Sequence, residues 1–580
     1  MKKIVFLMPL LLLSLTFLSQ EGPSAEKDPR DVARYWFARS LISWAEGDYK
    51  AARRYLTTAM SGEVYLEDIP EYWYFMAKLD LEEGNVEKAH DELDKVSLFV
   101  YKPEVAFLME FIDSVLKDVQ KRIEVLDVRK VTTYSGVMGS IEYFYSPVAV
   151  DAMGNTLLIL DGANDRLVKI EDAYMNIMNL GKMGITKCRD MMVDHMTGWI
   201  YISTGEGKIY RIRGEKSEEF ARGFIYPKFV GVDRIGNVYI LDVGRARIMK
   251  YDFKGEYRWD YTFRNGFSFI PSASLLKDRI YFLDLRNRKV GILKVGEGIQ
   301  PESVPFPENS NIVRLSVGVS GILFGIDDEG NAVYWSGNRW VKIDLGKADG
   351  LRVLSTFIFL WSMDSNEVVV GEIHLNEPTL LVNINAISVR PGIKVEVIYR
   401  ITDRFGNLMP FSPRFTEIKD SGGRVGFDLE LVFLQPQIHR FKNAEEFKSN
   451  FALFNRVNPD VVILEGMNSS LELKCLFPLL LKNIVLYTTA SDELSRYIAW
   501  SSGGSHIQPD ELPIVMEYLK EASYPVWKAG YEIPPPLTPG IKMVTVSLNF
   551  GGFEYTDTVY YLKEMFESER ESTATQQQGQ

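Results

Sequence analysis

The scarce reactive groups of this 580-residue chain are five histidines and two cysteines, on a net charge of −12. His90, His195, His374, His439 and His506 are scattered, and an imidazole-based metal centre needs three or four convergent ligands. Cys188 and Cys475 fall in different segments and make neither a metal pair nor a disulfide framework. Carboxylates are abundant, but Asp151, Asp194 and Asp233 recur at matched positions, as do Asp161, Asp242 and Asp284. A carboxylate that returns unit after unit caps a turn, whereas a catalytic one is placed once. These patterns predict no catalytic set, no metal site and no cofactor. Cations offer more: "NDR" (Asn164–Arg166), "GRAR" (Gly244–Arg247) and "RNRK" (Arg286–Lys289) follow matched strands. Arg166 and Arg247 hold a repeated position, while Arg245, Arg286 and Arg288 are additional. Together they are candidate binding residues for carboxylates of a partner. The acidic balance argues against a nucleic-acid backbone as that partner.

The elements that carry these residues repeat. "YSPVAVDAMGNTLLILDGANDRLVKI" (Tyr145–Ile170) and "VGVDRIGNVYILDVGRARIMKYD" (Val230–Asp252) share a β-rich run, a Gly-Asn turn and a second run ending in Asp. Looser copies begin at Asp190, Pro271, Arg314 and Leu351, giving six units at about 40 residues each, a period of propellers and arrays. One such sheet cannot bury both faces, but six around an axis can. The copies resemble the NHL repeat, which implies a six-bladed β-propeller over 123–375. "IEVLDVRKV" (Ile123–Val131) is expected to complete its last blade. Some relatives of this fold are lyases or lactonases with a central metal held by His and acidic groups. An alternative function is therefore a propeller-type hydrolase or lyase with its site in the central channel.

Residues 26–122 carry helical spacing. "YWFARSLISWAEGDYKAARRYLTTAM" (Tyr35–Met60) and "EYWYFMAKLDLEEGNVEKAHDELDKV" (Glu71–Val96) align Trp36 with Trp73, Ala52 with Ala89 and Leu56 with Leu93. Trp36, Gly47, Tyr49 and Ala52 resemble the tetratricopeptide repeat, a resemblance that implies a partner groove around Trp36 and Trp73.

Beyond 375 the blade period stops. A small β module is expected over 376–424, then alternating helices and strands over 425–563, the mark of an α/β sheet. "LSRYIAWSSGGSHIQPDELPIVMEYLKEASYPVWKAGYEIPPP" (Leu494–Pro536) is similar to the end of von Willebrand factor type A domains. Those domains bind a divalent metal through Asp-x-Ser-x-Ser, which occurs nowhere in this chain, so a type A-like fold without the metal is expected. The polar tail, 564–580, is expected to be disordered.

"MKKIVFLMPLLLLSLTFLSQEGPSA" (1–25) reads as a signal peptide, with Lys2 and Lys3 before an apolar run. Retention of that run would anchor the chain to the membrane. The expected protein is a multidomain, non-enzymatic scaffold, exported to the periplasm or cell surface of a bacterial envelope. Its expected partner is an envelope protein or a surface polymer.

Overall fold

The computed structural model describes residues 28–562, apart from 46–47, 84, 101–104, 107, 111, 114–122, 172–173, 264–268, 296–301, 305–310, 319–320, 391–393, 404–405, 412–415, 421–422, 444–445, 447–459, 467–483, 491–492 and 533–540. The segment 1–25, read as a signal peptide, and the tail 564–580 lie outside the described residues. Among the described residues, no helix is long and apolar enough to cross a membrane.

Two helical hairpins come first: α1 (Pro29–Ala45) with α2 (Tyr49–Met60), and α3 (Ile69–Glu83) with α4 (Val86–Phe99). The Asp48 side chain caps α2 by accepting from the Ala51 N–H at 2.9 Å. Ala52 and Ala89 are fully buried where the helices approach, and Leu56 and Leu93 are buried beside them. Asp80, also fully buried, takes Arg53 at 2.8 Å and Lys88 at 3.1 Å, which ties α3 to α2 and α4.

Six four-stranded antiparallel sheets follow, a β-propeller. Their innermost strands are Pro147–Met153, Cys188–Val193, Pro227–Val232, Ser272–Leu276, Ile312–Val317 and Gly350–Leu354. Each packs beside the next, and the sixth beside the first, so the ring is closed. Short polar side chains knit neighbouring inner strands. Asp151 accepts from Val193 N, Asp190 from Phe229 N, Ser272 from Leu315 N and Ser316 from Val353 N. The outer strand of the sixth sheet is Val125–Ser135, paired with Glu367–Leu375. The N-terminal side of the ring thus closes its C-terminal side.

The C-terminal third differs from its reading as a small β module followed by one α/β unit. Leu380–Arg390, Lys394–Asp403, Tyr524–Glu532 and Asp428–Leu434 form one antiparallel sheet. Gly423–Val425, Thr416–Asp420, Ile541–Phe550 and Phe553–Leu562 form a second, and a shared apolar cluster lies between them. The strands after 523 therefore belong with the β module. Only the span between Leu434 and Tyr524, themselves paired across the first sheet, is α/β. It holds a parallel sheet of Gln437–Phe441, Asp460–Leu464, Val485–Thr488 and Ser505–His506, with α5 (Glu493–Ser501) and α6 (Leu512–Glu521). Successive strand residues point to opposite faces. Val461, Ile463, Val485 and Tyr487 share a cluster with Met196, Ile235 and Phe253 of the propeller. Val462, Leu464 and Leu486 share one with Ala77, Ala89 and Leu93 of the helical hairpins. A parallel sheet needs both faces covered, and here the propeller with α6 supplies one cover and the N-terminal helices the other.

Candidate functional site

The repeated carboxylates are occupied by turns. Asp233 accepts from the N–H groups of Ile235 and Asn237, the Asn237 amide and the Tyr239 hydroxyl. Asp284 accepts from Asn287, and Asp161 from Asn164 and Arg166. Asp151 departs from this pattern. Its carboxylate bridges to the second blade and meets Arg352 Nη2 at 3.3 Å, with His195 Nε2 at 3.9 Å. His195 is the one propeller histidine at the channel; burial lowers its pKa below the usual 6.5.

The five arginines read from the sequence lie on turns between second and third strands. Asp161 pairs with Pro147 and Asp242 with Pro227, so these turns surround the end at which the inner strands begin. Arg166 is held by Asp161 and by Glu142 at 2.9 Å. Arg247 meets the buried Asp242 at 3.4 Å. Arg245, expected as an additional free group, is also engaged: it donates to Asp242 at 2.9 Å and to the Gly223 carbonyl at 2.6 Å. Arg286 and Arg288 are exposed and have no ion-pair partner among the described residues. Trp36 and Trp73 are half-buried and pack against separate clusters rather than lining one groove. Trp36 stacks on Tyr55 at 5.5 Å, and Lys95 lies 4.1 Å over Trp73.

What the sequence reading missed is the cationic lining of the central channel. A cavity of about 550 Å³ runs between the inner strands. Six cations line it: Arg189, Lys228, Arg234, Lys277, Arg314 and Arg352. A bulge in the inner strand of four blades (between Cys188 and Asp190, for example) shifts its register near the mouth, the kind of local kink that re-aims side chains. The signal for Arg189, Lys228, Arg314 and Arg352 was a lone cation inside a largely apolar inner strand, and Arg234 and Lys277 follow such strands in their hairpins. It sat at different offsets in different blades, so aligning the repeats hid it.

The two ends of the channel differ. At the hairpin end, Arg234 donates to Asn407 Oδ1 at 2.6 Å and to the Gly503 carbonyl, and Lys277 lies 5.5 Å from the Trp500 ring. The C-terminal elements therefore cover that end. Tyr518 of α6 donates to Asp194 Oδ1 at 3.0 Å, both groups buried, and burial pushes the Asp194 carboxyl above its usual value. Gly236 permits this docking, because a Cβ there would meet the Tyr518 ring at 2.5 Å, and its φ of +82° suits glycine. At the other end no described residue covers the mouth, and exposed Tyr145, Tyr226, Phe269 and Met363 lie at or beside the starts of the inner strands or their turns.

No family model matches the sequence, and no curated protein matches it. Solved structures do. A streptogramin B lyase is 14% identical over 46% of this chain and 94% of that chain, with a TM-score of 0.33. YCF48 bound to D1 peptide is 10% identical over 40% and 80%, with a TM-score of 0.32. The calcium-binding protein regucalcin from Agrobacterium tumefaciens is 10% identical over 40% and 94%, with a TM-score of 0.30. Likeness at these identities concerns the fold alone.

Proposed function

We propose that this protein is an exported, non-enzymatic binding scaffold of the bacterial envelope, holding an envelope protein or surface polymer on the open face of its propeller. The observation that carries the reading is the composition of that face: exposed Tyr145, Tyr226, Phe269 and Met363, together with Arg286 and Arg288. Aromatic residues, Met and Arg are the types enriched where proteins meet, and large apolar side chains grouped in the open mark interaction sites. On this reading the blades are NHL repeats, the helical hairpins are tetratricopeptide-like, and the α/β insert is type A-like without its metal. The helices then act as a cover for the parallel sheet. The test is affinity capture from the native envelope with Tyr226→Ser/Phe269→Ser beside the unaltered chain. The scaffold reading expects a specific partner lost from the double variant; equal capture by both chains overturns it.

A second reading, a hydrolase or lyase acting in the channel, draws on the meeting of His195, Asp151 and Arg352. A neutral His195 could accept a proton there. Turnover that disappears in His195→Ala would favour this reading over the first.

A further inference from the structure

We propose that the propeller channel is a binding site for a carboxylate-bearing ligand, entered from the open mouth and independent of whether a partner sits on the outer face.

The argument rests on how the six channel cations are divided. Three of them have work within the fold. Arg352 meets Asp151 and the Met191 carbonyl, Arg234 joins the propeller to Asn407 and Gly503, and Lys277 faces Trp500. The other three differ. Arg189, Lys228 and Arg314 lie on three separate inner strands and line one cavity. Among the described residues none of them has a carboxylate within ion-pair distance. Arg314 donates only to the carbonyl of its neighbour Val313, at 3.0 Å.

The carboxylates that share the cavity keep their charge but form no ion pair with this group among the described residues, and four of them stand against six cations. Asp190 accepts from Met191 N and Phe229 N, and Asp349 from Met363 N at 2.7 Å. Asp233 and Asp403 each cap a hairpin, Asp403 by accepting from Asn407 at 3.0 and 2.8 Å. Fixed like charges converging on a confined space attract and concentrate counter-charge. Two guanidinium forks and an ammonium suit an organic anion with more than one carboxylate, since Arg pairs with carboxylate through two parallel bonds. The volume of about 550 Å³ is that of a small-ligand pocket. With the hairpin end covered, the pocket is blind and the mouth is the way in.

Two sources could supply the carboxylates: a free small polycarboxylate, or an acidic chain end of a partner. Calorimetry on the full chain at low ionic strength separates them, with citrate as one probe and hexaglutamate as the other. The expected result is one-to-one binding of citrate, weakened about tenfold or more in Arg314→Met and in Lys228→Met. Binding should also weaken as salt is added. Hexaglutamate binding without citrate binding, but with the same sensitivity to both variants, assigns the site to an acidic chain. Lys342→Ala, an exposed cation on an outer strand away from the cavity, should leave either affinity unchanged. Should Arg314→Met melt early, Lys228→Arg decides: retained binding there with loss in Lys228→Met supports the site. No binding of either probe, equal loss in Lys228→Arg and Lys228→Met, or equal loss in Lys342→Ala overturns the proposal.

Discussion

Tyr518→Phe removes one hydroxyl and leaves the ring that fills the space over Gly236. The lost bond runs to Asp194, a carboxylate buried between the propeller and α6. A hydrogen bond to a charged group contributes about 1.5–3 kcal/mol net. Asp194 keeps two further donors, Met196 N at 2.9 Å and the Thr197 hydroxyl, so the expected loss is about 2 kcal/mol. That corresponds to an opening of the docked α6 made roughly 30-fold easier, at 1.36 kcal/mol per tenfold. Hydrogen-exchange mass spectrometry of the α6 amides reads this as the variant-to-parent rate ratio, from which intrinsic exchange chemistry cancels. The pH dependence adds a second check. Burial raises the folded pKa of Asp194 above 3.8, so the folded protein takes up this proton before the unfolded chain does. The protonated carboxyl therefore contributes stability that is complete below the unfolded value and lost as pH rises through the folded one. Once the carboxyl is neutral, Tyr518 donates to an uncharged acceptor worth about 1 kcal/mol, and the ratio should shrink to roughly fivefold. A ratio below threefold at pH 7 would refute the assignment of this bond as the docking contact.

Other expectations follow from single contacts. Arg245→Ala should destabilise the third blade by about 1–2 kcal/mol through loss of one of the two arginines paired with buried Asp242, while Arg286→Ala should change stability by less than about 0.5 kcal/mol in urea unfolding. Asp80→Ala should cost about 3 kcal/mol, because Arg53 and Lys88 lose a fully buried counter-charge, and the helical melt followed by circular dichroism should show it. With Cys475 replaced by Ser, Cys188 should react with a thiol reagent only on unfolding, since it is buried and desolvation pushes its pKa up. Elemental analysis of the dialysed protein should find no stoichiometric metal; one Zn²⁺ or Ca²⁺ per chain would contradict the reading of its ligand spacing. Among the described residues, only His90, Asp91 and Asp94 bring three such groups together, all on one helix.

The blades were legible because each signal is local. A Gly-Asn turn, a cap such as Asp233 and a following Asp-x-x-x-x-Arg all act within about 15 residues. The closing strand was legible too, as a β-rich run left over before the first repeat. The pairing of Asp428–Leu434 with Tyr524–Glu532 was not, since about 90 residues of α/β chain separate partners that carry no mark of each other. Reading by adjacency assigned the second strand to its neighbour in sequence. The helical hairpins showed their periodicity but not their target, because "VVIL" at Val461–Leu464 announces a strand buried on both faces without naming either cover. Among the candidate arginines, type and position were readable, but not that Arg245 would turn back to Asp242.

The pairing of Val125–Ser135 with Glu367–Leu375 has a consequence in time. The Glu124 N–H finds the Asn376 side chain 252 residues later, at 2.8 Å. The hairpins α3 and α4 wait longer still, for strands that begin at Asp460 and Val485. During synthesis at about 5–20 residues per second, an early segment ending near residue 100 stays uncovered for roughly 20–80 s. Its first blade likewise waits for its sixth. Any factor that shields apolar surface on the nascent chain should therefore be engaged by α3 and α4 first, and be displaced from them only when the last third of the chain arrives.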